Sequence, residues 1–454
     1  MKKLIQVLSL TLFVSACAST SPRLVTVETP LMPLIRADLY FPFGSGTEQV
    51  GQEGATFLVS RWMDFGTRKH SMNEFNQASL GLGAAIGTAI EPRFTLVSVE
   101  APSDKFLQAW NLALEKIRAP KFSDSDLETA RNGMISAKQN RLTEWSVAGR
   151  QLGYAAIYAG TPEANPGYGT EISLKALSAA RLKEFYLTTF NRGPALVLVS
   201  KSMSGEMQDV IGKSVEHWGS SFKKAELKPT LRKGHNLIII ERPGSSQAYL
   251  FFVKPGPVPG TDDHALASIG SQLLGSNGGN SSILFDELRA KRGLTYHASF
   301  QIVKRPNQQA IVGVTFGANE KIGELASLYL SEWRKFYERK EIPETDLKEA
   351  YIAYKAMRDR DNGETIGELL QNAAQTMSVS GDVKPIWSDP TVTQEAFNAA
   401  KEKWLMPDNF TLLVLGDSAK VREALEKAIA PLADVKMLPA NADWDAVSNA
   451  ITKH

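Results

Sequence analysis

The order of apolar and polar positions breaks this chain into many short elements of both kinds. Phe94-Thr-Leu-Val-Ser-Val99 is rich in β-branched residues and predicts a strand. Over residues 103–117, Phe106, Leu107, Trp110, Leu114 and Ile117 recur at three- and four-residue spacing, which predicts an amphipathic helix ended by Pro120. Phe57 to Met63 reads as a helix broken at Gly66-Thr67. Ser71 with Glu74, ahead of Phe75 and Ala78, has the spacing of a capping box. Ser123-Asp-Ser-Asp-Leu127 opens a long helix that runs past Asn140. A Gly- and Pro-rich loop follows over 160–169, then a short helix over 178–185. Leu196-Val-Leu-Val-Ser200 is a strand of the buried type, followed by a helix reaching Trp218. Leu24-Val-Thr-Val27 reads as extended chain.

The second half repeats this order. Ser123-Asp-Ser-Asp-Leu-Glu-Thr-Ala130 matches Pro343-Glu-Thr-Asp-Leu-Lys-Glu-Ala350. Leu196–Ser200 with its helix matches Leu412-Leu-Val-Leu-Gly416 with the helix over 419–429. The strand after Gly83 matches the strand after Gly293. The offsets are 220, 216 and 210 residues, in the same order each time. These matches predict an α+β protein built from two homologous domains of about 200 residues each, with a mixed or antiparallel sheet packed by helices. The expected segments are 31–220 and 235–440, joined by a polar, basic linker over 221–234 and followed by a tail over 441–454.

One stretch of the second copy carries candidate chemistry. Gly275-Ser-Asn-Gly-Gly-Asn-Ser-Ser282 is a glycine-rich loop. The short helix after it has Asp286 and Glu287 early and Arg289, Lys291 and Arg292 late, which suits the helix dipole. Gly293 stands at a C-cap position. Tyr296-His-Ala-Ser-Phe-Gln-Ile302 alternates and predicts a strand. Arg289 and Tyr296 therefore flank one helix-to-strand turn. From the residues alone, Arg289 is equally a solvated helix end, and Tyr296 equally a member of the apolar face with Ala298, Phe300 and Ile302.

Composition enters mainly at the N-terminus. Lys2 and Lys3 precede an apolar run, Leu4 to Val14, too short to span a bilayer and typical of a signal-peptide core. The run ends Val14-Ser-Ala-Cys17, which resembles the lipobox of bacterial lipoproteins. That resemblance implies cleavage before Cys17, lipid on its thiol and amine, and a tether over 17–30; ordinary cleavage near Ala16 is the alternative. Ala18, in place of Asp, points by the usual sorting pattern to the outer membrane facing the periplasm. Loss of residues 1–16 removes two lysines and takes the formal net charge from +2 to 0, so no basic excess argues for nucleic acid. Cys17 is the one cysteine of the chain, which excludes an intramolecular disulfide and a thiolate metal cluster.

Gly278-Gly-Asn-Ser-Ser-Ile-Leu-Phe-Asp-Glu-Leu-Arg-Ala-Lys-Arg-Gly-Leu-Thr-Tyr296 resembles the second-domain signature of the pitrilysin/insulinase-like zinc peptidases. This group includes the mitochondrial processing peptidases and bacterial two-subunit forms. Gly66-Thr-Arg-Lys-His-Ser71, Gly167-Tyr-Gly-Thr-Glu171 and Leu415-Gly-Asp417 agree with it. The resemblance spans about residues 30 to 435 and implies a clamshell-like pair of homologous α+β domains. It also implies zinc on a first-domain helix bearing H-x-x-E-H. The equivalent window here is Phe57-Leu-Val-Ser-Arg61, where Phe57 and Arg61 stand for the histidines and Ser60 for the glutamate. A phenyl ring has no lone pair to give a metal, and a guanidinium has no acceptor. No two of the six histidines lie close enough in sequence to form a helical ligand pair. The expectation is no zinc in this chain.

Family members also use an Arg and a Tyr seven residues apart in the second domain, and Arg289 and Tyr296 match that spacing. In two-subunit members one chain carries zinc and its partner carries the Arg/Tyr pair. The resemblance thus implies a non-catalytic, substrate-binding chain that works with a zinc-bearing homologous subunit on a peptide. A pseudo-peptidase that binds peptides or scaffolds a complex without hydrolysis is the alternative. Gly278 and Gly279 fall in a loop that handles substrate in the processing peptidases, and that equally serves as a flexible connector.

Overall fold

The computed structural model describes residues 21–452 apart from 166, 223, 225, 276–281, 306–307 and 363–364. Cys17, Gly278 and Gly279 lie outside the described residues. The first half contributes strands β1 (Arg23–Val27), β2 (Leu34–Phe41), β3 (Ala85–Ile90), β4 (Thr95–Pro102) and β5 (Leu196–Ser200). Its helices are α1 (Ala55–Met63), α2 (Met72–Gly81), α3 (Phe106–Arg118), α4 (Asp124–Thr143), α5 (Trp145–Ile157), α6 (Glu171–Ala176), α7 (Ala179–Thr188) and α8 (Gly205–Ser214). The second half contributes β6 (His235–Glu241), β7 (Gln247–Pro255), β8 (Ala298–Ile302), β9 (Ala310–Ala318), β10 (Thr411–Gly416) and β11 (Leu432–Leu438). Its helices are α9 (Asp262–Gly275), α10 (Ile322–Glu338), α11 (Glu344–Asn362), α12 (Ile366–Ser380), α13 (Gln394–Trp404), α14 (Ser418–Ala428) and α15 (Trp444–Thr452), with a π-helical turn over Phe285–Ala290.

The two sheets repeat each other strand for strand. The first has the order β1-β5-β2-β4-β3 and the second β11-β6-β10-β7-β9-β8, so the second is the first with β11 added at one edge. The sense of pairing repeats as well. β1 lies parallel to β5 as β6 does to β10, and the other equivalent neighbours are antiparallel in both sheets. The two-copy α+β fold expected from the offsets is therefore the fold observed. Gly83 and Gly293, which head β3 and β8, both take left-handed backbone angles, with φ of +61° and +59°. The Ser71 capping box also forms as its spacing predicts: its hydroxyl accepts from the Glu74 N–H, and the Glu74 carboxylate accepts from the Ser71 N–H at 2.8 Å.

The halves exchange one helix each. One face of the first sheet packs its own helices around Leu39, Val97, Trp110 and Trp62. The other face, with Tyr40, Leu96 and Leu198, is covered by α12 from the second half through Ile366, Leu370 and Met377. In return α5 of the first half lies on the second sheet, where Ala148, Leu152 and Ala155 meet Ile238, Phe251 and Leu413. An apolar stripe on a helix shows that the helix is buried, not which sheet buries it, and this exchange was invisible in the periodicity. It also changes the expected segment roles. The described part of the segment 17–30, expected as a tether, supplies β1 over Arg23–Val27, hydrogen-bonded along β5. Residues 441–454, expected as a tail, supply α15, whose Trp444, Val447 and Ile451 close the same layer as α5.

Candidate functional site

The corner from Ser282 to Ile302 is anchored from below and open above. Leu284, Leu288 and Leu294 are buried in the main core of the second half. The Ser282 hydroxyl accepts the Phe285 N–H at 3.3 Å and starts the turn. The Lys291 N–H reaches back five residues to the Asp286 carbonyl at 2.9 Å, the π-type bond that distinguishes this turn from an ordinary helix. Gly293 then donates to the Arg289 carbonyl at 2.9 Å and reverses the chain.

The basic residues of this turn have different fates. Lys291 and Arg292 both bind Glu287, the latter at 2.6 Å, and together they pull its carboxyl down to about 2. Arg289 has no carboxylate partner among the described residues. Its guanidinium carbon lies 4.4 Å from the centre of the Tyr296 ring and 5.0 Å from that of Phe285. Stacking of this kind uses the guanidinium face and leaves its edge N–H groups available. Burial, and then the Arg289 charge, hold the His297 ring below its ordinary pKa, and its Nε2 lies 3.1 Å from the Ser299 hydroxyl.

Tyr296 corrects the strand expectation. Strand β8 begins at Ala298, because Thr295 forms a side-chain turn first: its hydroxyl accepts the His297 N–H at 3.1 Å and donates to the His297 carbonyl at 2.8 Å. Ala298 and Phe300 are buried as expected, but Tyr296 does not share their face and is 72% exposed. Its phenol makes no hydrogen bond among the described residues. The structure therefore brings Arg289 and Tyr296 together and presents the phenol to solvent.

The first-half window is packed quite differently. Glu48 accepts the Gly54 and Thr56 N–H groups, each at 2.7 Å, and so caps the start of α1. Burial is the main cause that pushes the Glu48 carboxyl up to about 7, against the pull of those two bonds. Phe57 lies against Tyr168 with ring centres 4.7 Å apart, Ser60 is buried, and Arg61 lies at the surface 3.6 Å from Asp64. A ring engaged in stacking, a buried hydroxyl and a surface cation do not fit a zinc ion. The nearest histidine in sequence, His70, has its Nδ1 2.9 Å from Glu115, which also accepts from Thr67. That trio closes the loop after α1.

Phe57 faces a cleft between the halves. A cavity of about 460 Å³ is lined by Phe57 and Tyr168 on one side and by Arg150, Tyr154 and Arg305 on the other. A second cavity of about 330 Å³ adjoins it toward His264 and Trp387. No sequence signal marks the cleft cations, since α5 belongs to the first half by sequence and lines the second half in space.

Comparison with known families and structures places these features. Residues 23–171 match the family model described as insulinase (peptidase family M16), and residues 176–354 match the one described as peptidase M16 inactive domain. The chain is 20% identical over 277 residues to a protein named non-peptidase homolog YmxG of Helicobacter pylori, covering 59% of this chain and 62% of that one. It is 22% identical over 281 residues to an uncharacterized zinc protease of Mycobacterium tuberculosis, covering 60% and 63%. The match thus spans a little under two thirds of the curated relatives' length. Among solved structures, the peptidase M16 inactive domain from Pseudomonas fluorescens superposes with a TM-score of 0.71 at 21% identity, over 88% of this chain and 97% of that one. The periplasmic protease PqqL from Escherichia coli gives 0.67 at 16% identity, over 87% of this chain and 44% of that one.

Proposed function

Because the chain belongs to the insulinase-like M16 peptidase family, with a first-half window that does not fit zinc, we propose that it is the non-catalytic, substrate-binding subunit of a two-chain zinc metallopeptidase. Its substrate would be a peptide in the bacterial envelope, and its partner a zinc-bearing homologue that holds the water-activating metal. The observation that carries this reading is the Arg289–Tyr296 pair: a guanidinium with no carboxylate partner among the described residues, stacked on a phenol that is 72% exposed. An aromatic side chain left in water gains nothing from burial, which supports a role for Tyr296 in contact with another molecule.

The pair has a definite division of labour in this reading. The edge donors of Arg289 hold a backbone carbonyl of the extended peptide, and stacking keeps the guanidinium plane fixed. The Tyr296 hydroxyl donates to the oxyanion that develops at the scissile carbonyl. Cys17 would tether the chain to the envelope through lipid, and a Cys17→Ala chain should leave the membrane fraction.

The test is reconstitution. Peptide cleavage should appear when the full chain is mixed with a zinc-bearing homologue encoded beside it, and in neither protein alone. The isolated chain holding stoichiometric zinc and cleaving peptide would overturn the reading. A peptide-binding scaffold without hydrolysis is favoured by the relative named as a non-peptidase homologue. Copurification with a non-peptidase partner, and no cleavage with any zinc homologue, would select it.

A further inference from the structure

The two interdomain cavities share three residues: Arg150 and Tyr154 from α5, and Arg305 from the turn between β8 and β9. We propose that this neck is an anion site that takes a carboxylate of an acidic peptide.

The neck follows from how α5 is seated. Gly149 and Gly153 bring the helix down onto the second sheet; a Cβ at Gly149 would enter the ring of buried Phe251, and one at Gly153 would meet Val253 at 3.0 Å. Arg150 and Tyr154 are the next residues along, four apart on one helical face, and so stand together at the edge of that contact. Arg305 reaches the same place from the second half, between β8 and β9, where its carbonyl accepts the Gln308 N–H at 2.9 Å.

The charges of the neck are unspent. Neither Arg150 nor Arg305 has a carboxylate partner or a side-chain hydrogen bond among the described residues, and the Tyr154 hydroxyl makes no hydrogen bond there. Burial raises the Tyr154 phenol above its ordinary pKa, while the Arg150 and Arg305 charges pull it the other way, and all three residues line both cavities. Arg150 and Arg305 are both exposed at the mouth of this neck, and an oxyanion placed between two guanidinium groups is attracted by both.

The surroundings favour the same sign. No Asp or Glu lines the inner cavity among the described residues. His264, which lines it, is held down to about 4 by burial and is neutral near pH 7. The outer cavity has Glu91 and Glu163, but Glu163 is engaged by Arg93 at 3.1 Å. Each cavity is within the usual size of a ligand site.

The choice of a peptide as the carrier of the carboxylate rests on the peptide-binding role above; the anion chemistry does not. The test uses the isolated full chain and two labelled peptides that differ only by a central Glu or Gln, with binding followed by fluorescence anisotropy. The Glu peptide should bind at least about tenfold more tightly and weaken as salt rises. The Arg150→Gln, Arg305→Gln double variant should lose that preference while melting like the parent. Equal binding of the two peptides, binding of neither, or a preference that survives in the double variant would overturn the proposal. Competition by inorganic phosphate as strong as that of the Glu peptide would overturn the peptide assignment and leave a small-anion site. Because no partner is present, a chain that prefers the Glu peptide yet never supports cleavage keeps the neck and loses the subunit role.

Discussion

The internal repeat supplies its own control for the candidate site. The α2–β3 corner of the first half and the corner before β8 in the second turn on equivalent left-handed glycines, Gly83 and Gly293. Four residues before and three after Gly83 stand Ser79 and Ile86; the same steps from Gly293 reach Arg289 and Tyr296. Ser79 is buried and its hydroxyl donates to the Ala84 carbonyl at 2.8 Å, while Ile86 packs against the first core. Both residues serve the corner itself. Arg289 and Tyr296 pack on each other, with Phe285 beside Arg289, and neither side chain makes a hydrogen bond within its corner among the described residues. The fold needs a glycine and buried leucines at this turn, and the exposed stacked pair is an addition to it.

The comparison can be broken first at the exchanged helices, where the largest effects are expected. Gly149 of α5 lies on the ring of Phe251, which is buried within a sheet, whereas Gly367 of α12 abuts the far end of the Arg36 side chain and, more loosely, the Thr365 hydroxyl. Gly149→Ala should cost about 2–3 kcal/mol by overpacking, and Gly367→Ala less than about 1 kcal/mol, both from urea unfolding. Equal costs would show that the two exchanged helices are seated alike.

A smaller effect separates the window from the corner. Removing the half-buried Phe57 ring from its contact with Tyr168 should lower stability by about 1–2 kcal/mol in Phe57→Ala. Tyr296→Phe removes only an exposed hydroxyl and should change stability by less than about 0.5 kcal/mol. Loss of stability in the second variant would return Tyr296 to a structural role.

A further contrast is a slope with pH at the start of α1. The Glu48 carboxyl is raised in the folded chain from 4.5 to about 7, so the folded state binds its proton more tightly than the unfolded one. That contribution is complete below 4.5 and is lost as pH rises toward 7. Melting temperatures measured across this range should fall with pH more steeply in the parent than in Glu48→Gln. Matching slopes would remove Glu48 as the group that sets them.

Much of this was legible in the sequence because it depends on local rules. A helix start, a β-branched strand with its helix, and a strand after a glycine, each recurring at a near-constant offset, sufficed to show two copies of one unit, and the sheets repeat in the order those offsets imply. The chemistry of Phe57 and Arg61 was equally plain, since a phenyl ring without a lone pair and a guanidinium without an acceptor need no structure to exclude them as ligands. What stayed hidden depends on distant packing. Nothing local tells α5 to leave its own half, so the neck of Arg150, Tyr154 and Arg305 has no sequence signature. Tyr296 continued an alternating pattern, and only the Thr295 side-chain turn ends the strand before reaching it.

The central claim is that Arg289 and Tyr296 act on a peptide and not on the fold. Its direct test is peptide turnover by the chain reconstituted with a zinc-bearing homologue, comparing the parent with the Arg289→Ala, Tyr296→Phe double variant. The account predicts turnover lower by about 100-fold with an unchanged melting temperature. Equal turnover by the two chains would contradict it.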